Sequence, residues 1–121
     1  MSFSKESDFT TADRVLSIIS QGFSHPARVM ILRRLVTARG QFVEHRKLVD
    51  GIPLAESTIC QHLRLLRDKR LIISRSNGNS GTTHKLNEDL GISRTYIDMM
   101  VNYISDRHDL FASDIRPLKL N

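Results

Sequence analysis

The stretch STICQHLRLLRD, residues 57–68, carries hydrogen-bonding side chains at the spacing of an α-helix. Its apolar residues Ile59, Leu63 and Leu66 recur at i, i+4 and i+7, the pattern of a helix that buries one face. Four polar residues lie outside this apolar face: Ser57, Thr58, Gln61 and Arg64. Such side chains suit a partner that itself offers donors and acceptors. Base edges in the major groove of DNA do so, where glutamine can pair with adenine and arginine with guanine.

The basic residues of the chain are concentrated in its middle. Between Arg28 and Lys85 there are twelve Lys and Arg against four Asp and Glu, a net charge of +8. The rest of the chain has six basic and nine acidic residues, a net charge of −3. This asymmetry favours a polyanionic partner, such as double-stranded DNA, for the middle of the chain. A solvated surface that is merely basic is the alternative.

Residues that could hold a metal or perform catalysis do not form a recognisable set. The five histidines are scattered, no two stand four residues apart, and none is joined to a cysteine in a known ligand motif. There is no glycine-rich phosphate loop, no nucleophile elbow, and no Ser/His/Asp or Cys/His arrangement at a recognisable spacing. We therefore expect no metal ligands, no cofactor and no enzymatic activity.

Cys60 is the single cysteine, so no intrachain disulfide can form. This favours a reducing, cytoplasmic location. No run reaches the roughly 18 apolar residues that a membrane span needs, and the first residues lack the pattern of a secretory signal. Two roles stay open for Cys60: a thiol switch beside a cation-rich helix, or a small packing residue.

Three helices are predicted before the opening stretch. The first runs from about residue 11 to residue 21, because Thr10 and Asp13 have the spacing of a capping box. The second begins at Pro26, which suits the first helical position because its missing N–H costs nothing there. The third is short, at roughly residues 43–49.

The fourth predicted helix is followed by a hairpin and a long last helix. The fourth helix begins near Ala55 and contains the opening stretch. Residues 71–76 (LIISRS) form a strand, residues 77–81 a turn, and residues 82–86 (TTHKL) the returning strand. The last helix runs from about residue 93 to residue 111. The predicted fold class is mainly α with a two-stranded β wing, a winged helix-turn-helix in the order α1-α2-α3-α4-β-hairpin-α5.

Two cations, Arg75 and Lys85, flank the small polar residues of the turn. Positive side chains on a wing can bind phosphates beside the groove, and the tip can approach the minor groove. Such contacts supply affinity and register rather than sequence choice, and an ordinary soluble hairpin is the alternative. The DNA-binding residues predicted from the sequence are Ser57, Thr58, Gln61, Arg64, Arg75 and Lys85.

Two motifs in this order resemble the ArsR/SmtB family of bacterial winged-helix repressors. HPARVMILRRL at residues 25–35 is similar to the family's second-helix pattern, P-x-R-[apolar]-x-I-L-x-x-L. STICQHLRLLR at residues 57–67 is similar to its recognition helix, S-T-V-S-x-H-L-x-x-L-R. The resemblance covers roughly residues 10–110. It implies a sequence-specific DNA-binding repressor that dimerises through its first and last helices and that an inducer releases from its operator. The inducer is unknown.

The metal-binding motifs of that family are incomplete in this chain. Where many metal sensors have a Cys-x-Cys pair, residues 44–49 are EHRKLV. Asp106 and His108 match the first half of a D-x-H motif that other members use on the last helix, but Lys119 stands where a second histidine is expected. The resemblance thus implies a repressor without the usual metal sites. A site assembled from Asp106 and His108 across a dimer stays open.

The last helix carries more apolar surface than packing on one domain requires. Ile97, Val101 and Ile104 lie along one line of this helix. A second line, rotated by about 120° at 100° per residue, comprises Tyr96, Met99, Tyr103 and Leu110. Because one domain covers a stripe of only about 100°, we predict that the second line forms the interface of a homodimer. Folding back of the tail over this line is the alternative.

The predicted organisation is one winged-helix DNA-binding domain at residues 1–112, with a flexible tail at residues 113–121. A protein of another class could use the same fold. Such a protein would be a winged-helix module that binds another protein, rather than an operator, through the acidic last helix.

Overall fold

The computed structural model describes residues 8–113, and within the last helix it describes side chains as far as Tyr103. Within residues 8–113, five α-helices and three strands follow one another. They are α1 (Thr11–Gly22), α2 (Pro26–Thr37), β1 (Val43–Glu44), α3 (His45–Val49), α4 (Glu56–Asp68), β2 (Ile72–Ser76), β3 (Thr82–Leu86) and α5 (Ile92–Ser113). Two short 3₁₀ turns lie at Gly78–Ser80 and Glu88–Leu90.

The first two helices begin where the sequence predicted. The Oγ1 atom of Thr10 accepts a hydrogen bond from the backbone N–H of Asp13 at 3.0 Å, and the Asp13 carboxylate accepts one from the backbone N–H of Thr10 at 3.1 Å. This capping box satisfies two N–H groups that have no partner inside the helix. At the second helix, Pro26 occupies the first turn, and Nδ1 of His25 accepts from the backbone N–H of Ala27 at 3.0 Å.

The wing differs from the prediction because its sheet has three strands rather than two. The strand order is β1-β3-β2, and both pairings are antiparallel. Val43 and Glu44, which the sequence placed at the start of the third helix, instead pair with His84 and Thr83 of β3. A strand of two residues is too short to show an alternating pattern. Its pairing depends on a segment about forty residues further along, so the local sequence did not reveal it.

The core lies between α2, α3, α4 and the sheet. All three apolar residues predicted on one side of α4 are buried: Ile59, Leu63 and Leu66. In α2, the predicted residues Ile31, Leu32 and Leu35 are buried, whereas Val29 and Val36 are only partly covered. At the end of α3, the Arg34 guanidinium donates to the backbone carbonyl of Leu48 at 2.8 Å, which ties α2 to α3. The three buried residues of α4 anchor this helix on the core.

The two helices predicted to dimerise expose apolar side chains. Leu16 on α1 is 57% exposed, and on α5 Val101 is 55% and Tyr103 39% exposed. Tyr96, predicted at the dimer interface, stacks on Phe23 of its own chain at a centroid distance of 5.7 Å. Met99, also predicted at the interface, is 45% exposed. Leu110, the fourth predicted residue, lies outside the described side chains, as do Asp106 and His108.

Residues 114–121 of the predicted tail also lie outside the described part of the chain. Among the described residues, no helix combines the length and the apolar character that crossing a membrane requires.

Candidate nucleic-acid interface

The polar face predicted on α4 is present at the surface. Ser57, Gln61 and Arg64 are exposed, and Thr58 is partly buried. At 100° per residue, the first three fall within an arc of about 60°, and Thr58 lies about 60° beyond Gln61. Their side chains therefore form one strip along the helix, with hydroxyls near its start and the guanidinium further along. This strip can present hydrogen-bonding groups to a groove that admits one helix.

A hydrogen-bond cluster fixes the orientation of α4 against α2. The Arg28 guanidinium lies 2.8 Å from Nδ1 of His62, and it also donates to Oγ of Ser24 at 2.7 Å and to the carbonyl of Gln21 at 3.2 Å. Since arginine can only donate, Nδ1 of His62 accepts, and the proton of this imidazole lies on Nε2. Burial, and then the nearby His25 and Arg28, lower the pKa of His62 below its ordinary value. His62, which is not among the predicted DNA-binding residues, thus joins α2 to the helix that carries the polar strip.

The wing brings its two predicted cations to one aromatic ring. In the antiparallel pairing of β2 with β3, Ile73 lies opposite Lys85, and Arg75 lies opposite Thr83. Paired residues share a face of the sheet, and so do residues two apart on a strand. Arg75 and Lys85 therefore project from the same face. The Arg75 guanidinium lies 4.0 Å from the centroid of Phe42, and Nζ of Lys85 lies 5.0 Å from it. Both distances suit a cation–π contact, which restrains the long side chains without neutralising them. Sequence reasoning missed Phe42 because the ring stands more than thirty residues before the cations it contacts.

The opposite face of the wing connects to the helix-turn-helix through polar side chains. Oγ of Ser74 lies 2.6 Å from Nδ1 of His84, and Nε2 of His84 lies 3.1 Å from Nδ1 of His45. Nε2 of His45 in turn lies 2.6 Å from a carboxylate oxygen of Glu56, in the first turn of α4. His84 is 1% exposed, and burial, with His45 and Arg67 nearby, lowers its pKa to about 4. His84 is therefore neutral. The contacts from Ser74 through His84 and His45 to Glu56 connect β2, β3, α3 and α4.

Several solved structures have a similar fold. The transcriptional repressor BigR from Xylella fastidiosa has a TM-score of 0.58 at 21% identity, covering 79% of this chain and 93% of its own. RHA00566, an ArsR family transcriptional regulator, has a TM-score of 0.55 at 16% identity, and the alignment covers 87% of this chain and 98% of RHA00566. The homodimeric winged helix-turn-helix DNA-binding domain Mb0332 from Mycobacterium bovis has a TM-score of 0.61 at 16% identity. The alignment covers 90% of this chain and 95% of the Mb0332 domain. The chain is a winged helix-turn-helix domain.

The resemblance inferred from the two sequence motifs is thereby confirmed at the level of the fold. No family model matches the chain, and no curated protein matches it in sequence. Within the winged helix-turn-helix, α3 and α4 are the two helices of the helix-turn-helix, and α4 occupies the position of the recognition helix. The β2–β3 hairpin is the wing. The three neighbours are described as regulators or as a DNA-binding domain rather than as enzymes.

Not every cation of the basic middle is available to an outside partner. Arg28 and Arg34 make internal hydrogen bonds to side chains and carbonyls of the domain. Arg64 and Arg75 are exposed, and Lys85 is partly buried. Exposed cations that can reach a polyanion therefore lie on α4 and the wing, and also on α2 and α3, where Arg33, Arg46 and Lys47 are exposed.

Proposed function

We propose that this protein is a homodimeric, sequence-specific DNA-binding transcriptional regulator, a repressor of the ArsR type. The observation that carries this proposal is the exposed strip of Ser57, Gln61 and Arg64 on a recognition helix that Arg28 and His62 hold in place. An amphipathic helix of any soluble protein has a polar face. This one, however, lies in the helix-turn-helix of a winged-helix fold, beside a wing that carries two cations.

The polar strip and the wing have different tasks in this proposal. Gln61 and Arg64 read base edges in the major groove, where each bidentate pair is worth about 1–3 kcal/mol of discrimination. Ser57 and Thr58 approach the groove near the start of the helix. Arg75 and Lys85 contact phosphates, which adds affinity on any sequence. Phe42 restrains both cations on one face of the wing.

The dimer is proposed from the exposed apolar surface of α1 and α5. Leu16, Met99, Val101 and Tyr103 are each more than a third exposed in the single chain. We propose that these side chains form one apolar surface, which in soluble proteins marks an interaction site. Tyr96 belongs to the chain's own packing on Phe23, so the interface we propose rests on the other residues. Two-fold symmetry would place the two recognition helices about one DNA turn apart, roughly 34–36 Å, and would match a palindromic operator.

The test is selection of random duplex DNA on the purified protein, followed by salt titration of the complex. We expect a palindromic consensus. If about six Lys and Arg per dimer contact phosphates, log K should fall with log salt at a slope of roughly −5. Enrichment of no sequence, together with a slope near zero, would overturn the proposal and would favour the protein-binding alternative.

A matched control accompanies this test. Arg94→Ala removes an exposed cation from α5, where Arg94 pairs with Asp98 at 3.3 Å, outside the basic middle of the chain. It should leave both the consensus and the salt slope unchanged. Arg64→Ala removes the same charge from α4 and should change the consensus, whereas Arg75→Ala should lower the magnitude of the salt slope.

A further inference from the structure

Three side chains of different chemistry converge where α3 meets the start of α4. His45 is the first residue of α3, and Glu56 and Cys60 stand one turn apart on α4. Nε2 of His45 lies 2.6 Å from Oε1 of Glu56, and Sγ of Cys60 lies 3.7 Å from the same oxygen. All three potential ligand atoms lie within 4.8 Å of one another. An imidazole nitrogen, a carboxylate oxygen and a thiol sulfur thus point into one small volume.

The spacing of these atoms is close to that of a tetrahedral zinc site. Zinc binds nitrogen and oxygen at about 2.0–2.1 Å and sulfur at about 2.3 Å, which puts ligand atoms roughly 3.3–3.5 Å apart. The distance from Cys60 to Glu56 already approaches this value. The distance from His45 to Glu56 is that of a hydrogen bond, and it must open by about 0.7 Å for an ion to enter. Glu56 is 63% exposed and His45 28%, so side-chain rotation on the surface can supply this movement.

We propose that His45, Glu56 and Cys60 form a binding site for a divalent metal ion of the zinc type. A mixed set of imidazole, carboxylate and thiolate suits a borderline ion better than magnesium or calcium, which prefer oxygen ligands alone. The Cys60 sulfur binds as the thiolate, and its proton passes to solvent. Three protein ligands leave a fourth position for water, as in zinc sites that are not purely structural.

The surroundings of His45 have the form of an outer shell for such a site. A metal-binding histidine usually donates its other ring N–H to a fixed acceptor, which holds the ring in place. Here Nδ1 of His45 lies 3.1 Å from Nε2 of the buried His84, whose Nδ1 lies 2.6 Å from Oγ of Ser74. When the ion occupies Nε2 of His45, the ring proton moves to Nδ1 and is donated to His84. His84 then carries its own proton on Nδ1 and donates it to Ser74.

The site opens toward the tip of the wing. A cleft of about 600 Å³ is lined by His45, Cys60 and the wing residues Ser80 and Gly81, among others. Water and ions therefore have a path to His45 and Cys60 through this cleft, and Glu56 is itself exposed to solvent. Since Glu56 precedes Ser57 and Cys60 precedes Gln61, a bound ion would tie the helix that carries the polar strip to α3. The sequence predicted no metal ligands here, because His45, Glu56 and Cys60 share no recognisable motif.

Metal binding to the DNA-free protein tests this proposal separately from the proposed function. The purified chain, freed of metal with a chelator, is titrated with Co²⁺, and Zn²⁺ is then added in competition. We expect one Co²⁺ per chain, with a thiolate-to-cobalt absorption band in the near ultraviolet that Zn²⁺ abolishes. Cys60→Ser should remove the band, and His45→Gln and Glu56→Gln should each weaken binding at least tenfold. All three substitutions lie at exposed or partly exposed positions, and far-ultraviolet circular dichroism should confirm that they fold.

Two further variants make the result decisive. His84→Gln should keep the sulfur band but weaken binding by about 10–100-fold, which is the range for loss of an outer-shell partner. His108→Ala and Asp106→Ala should change nothing. Co²⁺ binding without a sulfur band, or binding that is lost in the His108 variant and kept in the Cys60 variant, would overturn the proposal. Either outcome leaves the DNA-binding proposal intact.

Discussion

The Arg28 guanidinium donates a hydrogen bond of 2.8 Å to Nδ1 of His62. Arg28 belongs to the motif HPARVMILRRL and His62 to the motif STICQHLRLLR, so the two motifs that carried the sequence resemblance meet at this bond. The bond joins α2 to the middle of α4. It sets the rotation of α4 about its own axis, and hence the direction in which the polar strip of Ser57, Gln61 and Arg64 points.

Arg28→Ala should destabilise the domain. The substitution removes donors to His62, Ser24 and Gln21 and leaves Nδ1 of His62 without its partner, at a cost of about 1–3 kcal/mol. Urea unfolding followed by circular dichroism measures this loss. Arg33→Ala is the matched control because Arg33 is exposed on the same helix, and it should change the free energy of unfolding by no more than about 0.5 kcal/mol. Equal effects of the two substitutions would show that the Arg28 cluster does not stabilise the fold.

Stability should fall as the pH is lowered from 7.5 to 5. The pKa of His62 is lowered by burial, His25 and Arg28, and burial lowers the pKa of His84 to about 4. Below pH about 6.5 the unfolded chain therefore binds more protons than the folded chain, which destabilises the fold. His84 alone should contribute a loss of about 2 kcal/mol by pH 5.

The measurement is urea unfolding at several pH values in the presence of a chelator. The pKa of Glu56 is lowered by its hydrogen bond to His45, so the stability that Glu56 contributes is lost only at more acidic pH, below about 4.5. His62→Gln and His84→Gln should each reduce the slope between pH 7.5 and 5. A flat profile in the unsubstituted protein would contradict the neutral state assigned to both histidines.

Substitutions on α4 and on the wing should affect DNA binding differently. Gln61→Ala and Arg64→Ala should relax the choice of base at particular operator positions, each at a cost of about 1–3 kcal/mol on the preferred site. Arg75→Ala and Lys85→Ala should weaken binding to all sequences alike and lower the magnitude of the salt slope by about one each. Mobility-shift assays on the selected site and on single-base variants measure both effects. Uniform weakening by all four substitutions would argue against the separate roles.

Phe42→Leu should weaken DNA binding without changing its sequence choice. The ring contacts Arg75 at 4.0 Å and Lys85 at 5.0 Å, and its loss frees both side chains, which must then be ordered when DNA binds. Since each of the two cation–π contacts is worth about 0.5–1 kcal/mol at exposed sites, affinity should fall by roughly fivefold to thirtyfold. The same mobility-shift assay measures it. A change in the preferred base at any position would place Phe42 in base reading instead.

Tyr103→Glu and Val101→Glu should convert the dimer to a folded monomer. Each puts a charge into the exposed apolar surface of α5, which a second subunit would bury. Sedimentation should then give the mass of one 13.8 kDa chain, with loss of binding to the palindromic site. Asn102→Glu is the control, since Asn102 lies on the polar side of the helix near Asp98, about 40° away at 100° per residue. A monomer in the unsubstituted protein at micromolar concentration would refute the dimer.

The starts of α1, α2 and α4 could be predicted from the sequence because their signals are local. The capping box of Thr10 and Asp13 and the proline at the start of α2 act within one turn. The apolar residues of α4 repeat at the period of a helix, so Ile59, Leu63 and Leu66 identified both the helix and its buried side. The same period placed Ser57, Gln61 and Arg64 on the opposite, exposed side.

Contacts between distant segments were decided only by the tertiary structure. The pairing of Val43 with His84, and the contact of Phe42 with Arg75 and Lys85, bring together segments more than thirty residues apart. No periodicity relates such segments, because their separation along the chain is set by the intervening helices rather than by a repeat. The convergence of His45 on Glu56 arises in the same way, since the turn between α3 and α4 sets it. A ligand set with His45 before that turn and with Glu56 and Cys60 after it has no signature in the sequence.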